Sequence, residues 1–232
     1  MFQAVVFDMD GVILDSEKIY RKYEYKAAEK FGLDMSKVDE FCTKIAGGRY
    51  EQNKIHFRDT FETDIPYAEF RKVISAGVEE HAKNPGYELK PGVMELLRFL
   101  KEKGIRTALA TSTDKERMHR FLVSADQKKV QSGQTVEEES IFSYFDALIC
   151  GDQVKRAKPE PDIYLTACEA LGVKPAEAIG VEDSVNGVLS SADAGLFTVM
   201  VVDLIRPNDK VREKADRIFT DIREIMELFE EK

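Results

Sequence analysis

Basic residues are in deficit: 34 Lys and Arg stand against 43 Asp and Glu, a net charge of −9. Such a surface repels polyanions, which argues against nucleic acid or anionic membrane as a general partner. Cysteine is scarce and odd in number, with Cys42, Cys150 and Cys168 at no metal-like spacing, so neither a disulfide framework nor a thiolate metal site is expected. The simplest reading is reduced thiols in a cytoplasmic protein. Histidine is limited to His56, His81 and His119, none beside a recognisable motif, which leaves them to the surface or to the helical segment described below. Long apolar runs are missing too. Leu196 to Val202 is among the longest and falls well short of the roughly 20 residues that span a bilayer. Asp8 and Asp10 break what would otherwise be the apolar part of a signal peptide.

What is present starts with Q-A-V-V-F-D-M-D-G-V-I-L-D-S, Gln3 to Ser16. Ala4 to Phe7 reads as a strand buried on both faces, ending at Asp8. Asp10, two residues on, shares its side if the backbone stays extended, and Gly11 permits an immediate turn. Glu17 to about Tyr87 carries apolar residues at helical spacing (Ile19, Tyr23, Ala27, Phe31), punctuated at Gly32, Gly47-Gly48, Pro66 and Pro85-Gly86, which predicts several helices and no strand. Beyond Pro91-Gly92 helices and strands alternate. The strands are expected at Ile105 to Ala110, Ala147 to Cys150, Ala178 to Val181, Leu196 to Val201 and Arg217 to Phe219, the pattern of a parallel sheet clothed in helices. The fold class is therefore α/β, a Rossmann-like core over 1–15 and 88–232 with an inserted helical unit over 16–87. The polar stretch Ser124 to Ser140 fits neither part and reads as an exposed excursion after a helix ending near Val123.

Functional groups collect at predicted strand ends. Thr111, Ser112 and Thr113 precede Asp114, a natural helix cap, and so gather hydroxyls and free backbone N–H groups where an anion can bind. A basic loop offers Lys155, Arg156 and Lys158, the last restrained by Pro159. Glu182-Asp183-Ser184 supplies two more carboxylates. Asp8, Asp10, Glu182 and Asp183 brought together would repel one another by about 4 kcal/mol per pair at 4 Å and an effective dielectric near 20. Lys158 offsets one charge. A hard divalent cation offsets the rest, and Mg²⁺ suits few carboxylates and a substrate phosphate.

The segments F-D-M-D-G-V-I-L-D-S, the Thr111 hydroxyl, K-P-E-P-D-I-Y-L around Lys158 and G-V-E-D-S around Asp183, in that order, resemble the four motifs of the haloacid dehalogenase-like (HAD) hydrolase superfamily. They are most similar to its branch containing β-phosphoglucomutase and phosphoglycolate phosphatase. The resemblance implies that Asp8 attacks phosphorus to form an aspartyl-phosphate and that Asp10 protonates the leaving oxygen, then deprotonates water. It implies that the Asp8 carboxylate, the Asp10 backbone carbonyl and Asp183, with Glu182 directly or at one remove, hold Mg²⁺. Thr111 and Lys158 would grip the phosphoryl oxygens, with N–H groups near Met9 and Ser112 assisting.

The second aspartate argues for phosphate chemistry, since the dehalogenases of the superfamily lack it. The helical unit resembles the family's cap, in which Arg49 lies where β-phosphoglucomutase carries an arginine for a second phosphate. Asp114-Lys115 stands where that mutase has Lys-Asn, and Tyr20 replaces a cap histidine. The expected activity is therefore hydrolysis of a small phosphorylated metabolite, with a hexose-phosphate mutase second and a non-catalytic phosphate-binding regulator third. A monomer or small homo-oligomer is expected.

Overall fold

The computed structural model describes residues 2–45, 50–131 and 140–230. Six parallel strands form one sheet in the order β3-β2-β1-β4-β5-β6, with β1 at Ala4–Phe7, β2 at Arg106–Thr111, β3 at Ala147–Cys150, β4 at Ala178–Glu182, β5 at Phe197–Val201 and β6 at Arg217–Phe219. β1 has every residue buried, as a central strand covered on both faces must. The order reverses at β1: the chain builds outward to β2 and β3 on one side, then to β4, β5 and β6 on the other. Open α/β sheets leave a crevice at the carboxyl ends beside such a reversal.

Helices α1 (Glu17–Lys30), α2 (Val38–Ile45), α3 (Tyr50–Phe61) and α4 (Tyr67–Lys83) fall between β1 and β2. They share an aromatic centre in which Phe57 packs on Phe70 at 4.7 Å and on Phe41 at 5.7 Å between ring centroids. The chain enters and leaves this helical segment side by side, because Leu14 bridges Leu89 in antiparallel fashion and Lys90 N–H donates to the Ile13 carbonyl at 2.9 Å. The remaining helices, α5 (Val93–Glu102), α6 (Lys115–Gln131), α7 (Asp162–Leu171), α8 (Val185–Ala194) and α9 (Asp209–Lys214), connect the strands. Among the described residues no helix is long and apolar enough to cross a membrane.

Two expectations need correction. The helix expected to stop near Val123 continues to Gln131, and Ser124 and Ala125 are buried rather than part of an exposed excursion. The polar residues hide the continuation, while the buried contacts are long-range: the Ser124 hydroxyl accepts from Tyr87 N–H at 3.2 Å. Residues 132–139 of that stretch lie outside the described residues. The end of β4 also lies one residue later than expected, at Glu182, so this carboxylate belongs to the strand itself.

Candidate active site

Strand register assembles the site. Phe7 pairs with Val181 on one side and Leu109 on the other, so the next residue of each strand, Asp8, Glu182 and Ala110, arrives at one level of the sheet edge. Lys158, from the loop before α7, reaches into this level. Its ammonium donates to Asp8 Oδ1 at 2.6 Å, to Glu182 Oε1 at 2.6 Å and to the Ala110 carbonyl at 3.0 Å. All three of its protons are thus used, at a site where Lys158 is 3% and Glu182 0% exposed. Burial pushes the Lys158 pKa down, but the charges of Asp8 and Glu182 outweigh it and leave the ammonium firmly protonated.

Glu182 is held as a bridge. Besides Lys158, its Oε1 accepts from the Tyr164 hydroxyl at 2.7 Å, and Oε2 accepts from the Ser184 hydroxyl at 3.3 Å. Gly187, in the first turn of α8, leaves the room: a Cβ there would stand 1.9 Å from the Glu182 carboxyl carbon. Ser184, whose hydroxyl accepts from Gly187 N–H at 3.0 Å, caps that helix. Asp183 is thereby free to face the crevice.

The carboxylates of Asp8, Glu182 and Asp183 each place an oxygen within 4.8 Å of the others, in a set able to hold a metal ion. Asp183 is 3% exposed, and among the described residues its carboxylate accepts no hydrogen bond and meets no cation. Burial, then Glu17, Asp8, Glu182 and Asp203, drive its pKa well above the usual range. Asp8 is pushed up to about 7, by burial first, with Lys158 pulling the other way. A hard oxygen donor set short of positive charge fits a divalent cation.

The expected crowding of four carboxylates is corrected at Asp10. Its side chain turns from that cluster, with Oδ1 accepting from the Ser16 hydroxyl at 2.7 Å and Oδ2 from the Thr113 hydroxyl at 3.1 Å. Gly11 makes the intervening turn at φ +75°, and a Cβ there would sit 2.0 Å from Asp183 Oδ2, so the turn and the β4 acid pack in direct contact. Burial raises the Asp10 pKa, while the two hydroxyls, then Arg117 and Lys158, oppose the rise.

Thr111, 1% exposed, closes β2, and its hydroxyl accepts from Thr113 N–H at 3.1 Å, which shapes the loop holding Thr113 against Asp10. Asp114 caps α6 as expected, accepting from Arg117 N–H at 3.0 Å. Ser112 is exposed at the crevice edge. Of the basic loop only Lys158 enters; Arg156 pairs outside with Asp162. Arg49 lies outside the described residues. Sequence reasoning did not single out Glu17, the first residue of α1. Burial and then the charges of Asp10, Glu24, Asp203 and Asp8 push its pKa up to about 8. Its place directly after Asp15-Ser16 was the available signal.

Among known proteins, the chain is 34% identical over 197 residues to the phosphorylated carbohydrates phosphatase of Thermotoga maritima, covering 84% of this chain and 82% of that one. It is 26% identical to hexitol phosphatase B of Escherichia coli over 96% of this chain and 93% of that one. The crystal structure of CbbY from Rhodobacter sphaeroides with phosphate shares the fold, with a TM-score of 0.71 at 24% identity over 97% of this chain and 96% of that one. With the family model for haloacid dehalogenase-like hydrolases matching residues 2–195, from the edge of β1 to the residue that ends α8, the chain belongs to that hydrolase family.

Proposed function

We propose that this protein is a Mg²⁺-dependent phosphatase that hydrolyses a small phosphomonoester, a sugar phosphate or similar metabolite, through an aspartyl-phosphate on Asp8. The observation that carries this reading is the division of labour between two neighbouring carboxylates. Asp8 is gripped by an ammonium and turned toward acidic partners; Asp10 is gripped by two hydroxyls and turned away. Lys158 keeps Asp8 oriented and favours its ionised form, as a nucleophile requires. Asp10, its pKa raised by burial, holds a proton more readily than a free aspartate and can deliver it to the leaving oxygen, then recover it from water. Ser16 and Thr113 fix the direction of that delivery. Lys158 and the Thr111–Thr113 loop stabilise charge on the transferring phosphoryl group.

Asp8, Asp183 and the Asp10 backbone carbonyl would hold Mg²⁺, with Glu182 acting on it through Lys158 and Asp8. When bound, the ion supplies positive charge that favours ionised Asp8 and offsets the phosphate oxygens. Residues 16–87 act as a cap over the site, hinged where Leu14 and Leu89 pair, and exclude water from the crevice. The names of the Thermotoga and Escherichia relatives support a phosphorylated carbohydrate or polyol as substrate.

The test is turnover of para-nitrophenyl phosphate with Mg²⁺. Asp8→Asn should abolish it while far-UV circular dichroism stays unchanged; undiminished turnover by that variant would reject Asp8 as nucleophile.

A further inference from the structure

The two hydroxyls on Asp10 come from the starts of two helices on different parts of the chain, Ser16 before α1 and Thr113 before α6. Four residues beyond each stand Tyr20 and Arg117, and these two meet: Arg117 Nη2 donates to the Tyr20 hydroxyl at 3.5 Å. The pair stands near the Asp10 carboxylate, since the Arg117 charge acts on Asp10 and the Asp10 charge acts on Tyr20. Arg117 is anchored from behind. Its Nε donates to Glu79 Oε1 at 3.0 Å, Arg120 Nε donates to Glu79 Oε2 at 3.1 Å, and the guanidinium lies 5.4 Å over the Phe121 ring. Its Nη1 makes no hydrogen bond among the described residues, and 20% of the side chain remains exposed.

We propose that Arg117 and Tyr20 form the wall of the leaving-group pocket and select a hydroxylated, uncharged leaving group, that of a sugar or polyol monophosphate. This rests on the phosphatase reading above, with Asp10 as the acid. The wall offers an unused N–H from Arg117 and a phenol that accepts from Arg117 yet keeps its own proton to donate, which matches hydroxyl groups a few carbons from the ester oxygen. It does not match a second anion. The three cations here, Arg117, Arg120 and Arg71 acting on Tyr20, are matched by three carboxylates, Glu79 shared by Arg117 and Arg120, Glu116 on Arg120 and Asp114 near Arg117, so little net positive charge is left for another phosphate or a carboxylate. A guanidinium whose charge is already paired with Glu79 and which keeps one N–H to donate is suited to neutral oxygen atoms.

The experiment compares kcat/KM of the full chain and its Arg117→Ala, Arg117→Lys, Tyr20→Phe and Glu79→Gln variants, with Mg²⁺, on glucose 6-phosphate, fructose 1,6-bisphosphate and para-nitrophenyl phosphate, which has no hydroxyl on its leaving group. Arg117→Ala should lose about 10- to 100-fold on glucose 6-phosphate, the range for hydrogen bonds to a charged group, and under about 3-fold on para-nitrophenyl phosphate. Arg117→Lys should recover only part of the loss, because an ammonium lacks the planar fork. Tyr20→Phe should show the same selectivity at smaller size, and Glu79→Gln should cost less than Arg117→Ala. Equal losses on all three substrates, or a Glu79→Gln loss matching that of Arg117→Ala, would reduce Arg117 to a strut and overturn the proposal. So would a loss greatest on the bisphosphate, which would make Arg117 an anion reader. Wild-type turnover of para-nitrophenyl phosphate without turnover of any hydroxylated phosphate overturns this inference alone; no turnover of either overturns the phosphatase reading first.

Discussion

Replacing Lys158 by methionine keeps the length of the side chain and removes a cation shared by two buried carboxylates. Asp8 and Glu182 each sit 2.6 Å from Nζ, and Glu182 is wholly buried, so neither can turn to water when the ammonium is gone. Breaking a buried pair by removing one partner costs about 3–5 kcal/mol. At roughly 2–4 °C per kcal/mol for a chain of this size, Tm should fall by roughly 6–20 °C near pH 8. The loss should shrink as the pH approaches about 5, since protonation relieves the stranded carboxylates. Lysine itself adds no slope there. Its folded pKa is raised, so its contribution is complete below the ordinary lysine value and disappears only as pH climbs through the higher folded one. Thermal unfolding followed by circular dichroism in EDTA, at about pH 5 and pH 8, measures this. Turnover should fall at least about 100-fold, because Asp8 loses the cation that orients it and the transferring group loses a nearby positive charge. A variant as stable as wild type at pH 8, or one whose deficit is the same at both pH values, would refute the claim that Lys158 is the electrostatic keystone of the site.

Two further outcomes follow from the same geometry. Gly187→Ala places a methyl 1.9 Å from the Glu182 carboxyl carbon, so it should lower kcat at least about 10-fold and destabilise by about 1–3 kcal/mol, measured by steady-state kinetics and urea unfolding; normal values for both would show that Glu182 need not be held where it is. The metal-free protein should lose stability as pH rises from about 4 to about 7, because burial lifts the Asp8 pKa from 3.8 to about 7 and the folded state then holds a proton that the unfolded chain gives up. Mg²⁺ needs the ionised form, so the gain in Tm on adding it should grow between about pH 5 and pH 8, with protons released on binding; equal gains at both pH values would contradict a site built on Asp8 and Asp183.

Much of the site was legible because its parts are local. A fully buried strand must be an uninterrupted apolar run, and that run ends at Asp8; the acids at the end of β4 and the lysine before α7 stand at equally readable boundaries. The alternation of helix and strand likewise announced a parallel sheet, and each pairing between neighbouring strands of the six-stranded sheet is parallel. The helix beyond Val123 was misread because, over Ser124 to Lys128, only Ser124 and Ala125 are buried, which leaves little periodicity to detect.

By itself the sequence determined which candidate residues stand at strand ends, since strand burial and helix period are short-range properties written in a few consecutive side chains. Only the tertiary structure decided how the acids divide. Lys158 comes from 150 residues away to grip Asp8, and Thr113 from 103 residues away to turn Asp10 aside. The meeting of Arg117 with Tyr20 is of the same kind, joining α6 to α1 across 97 residues. Hydrogen-bond partners act over about 3 Å, and that scale is set by how the sheet and helices pack, which no local pattern encodes.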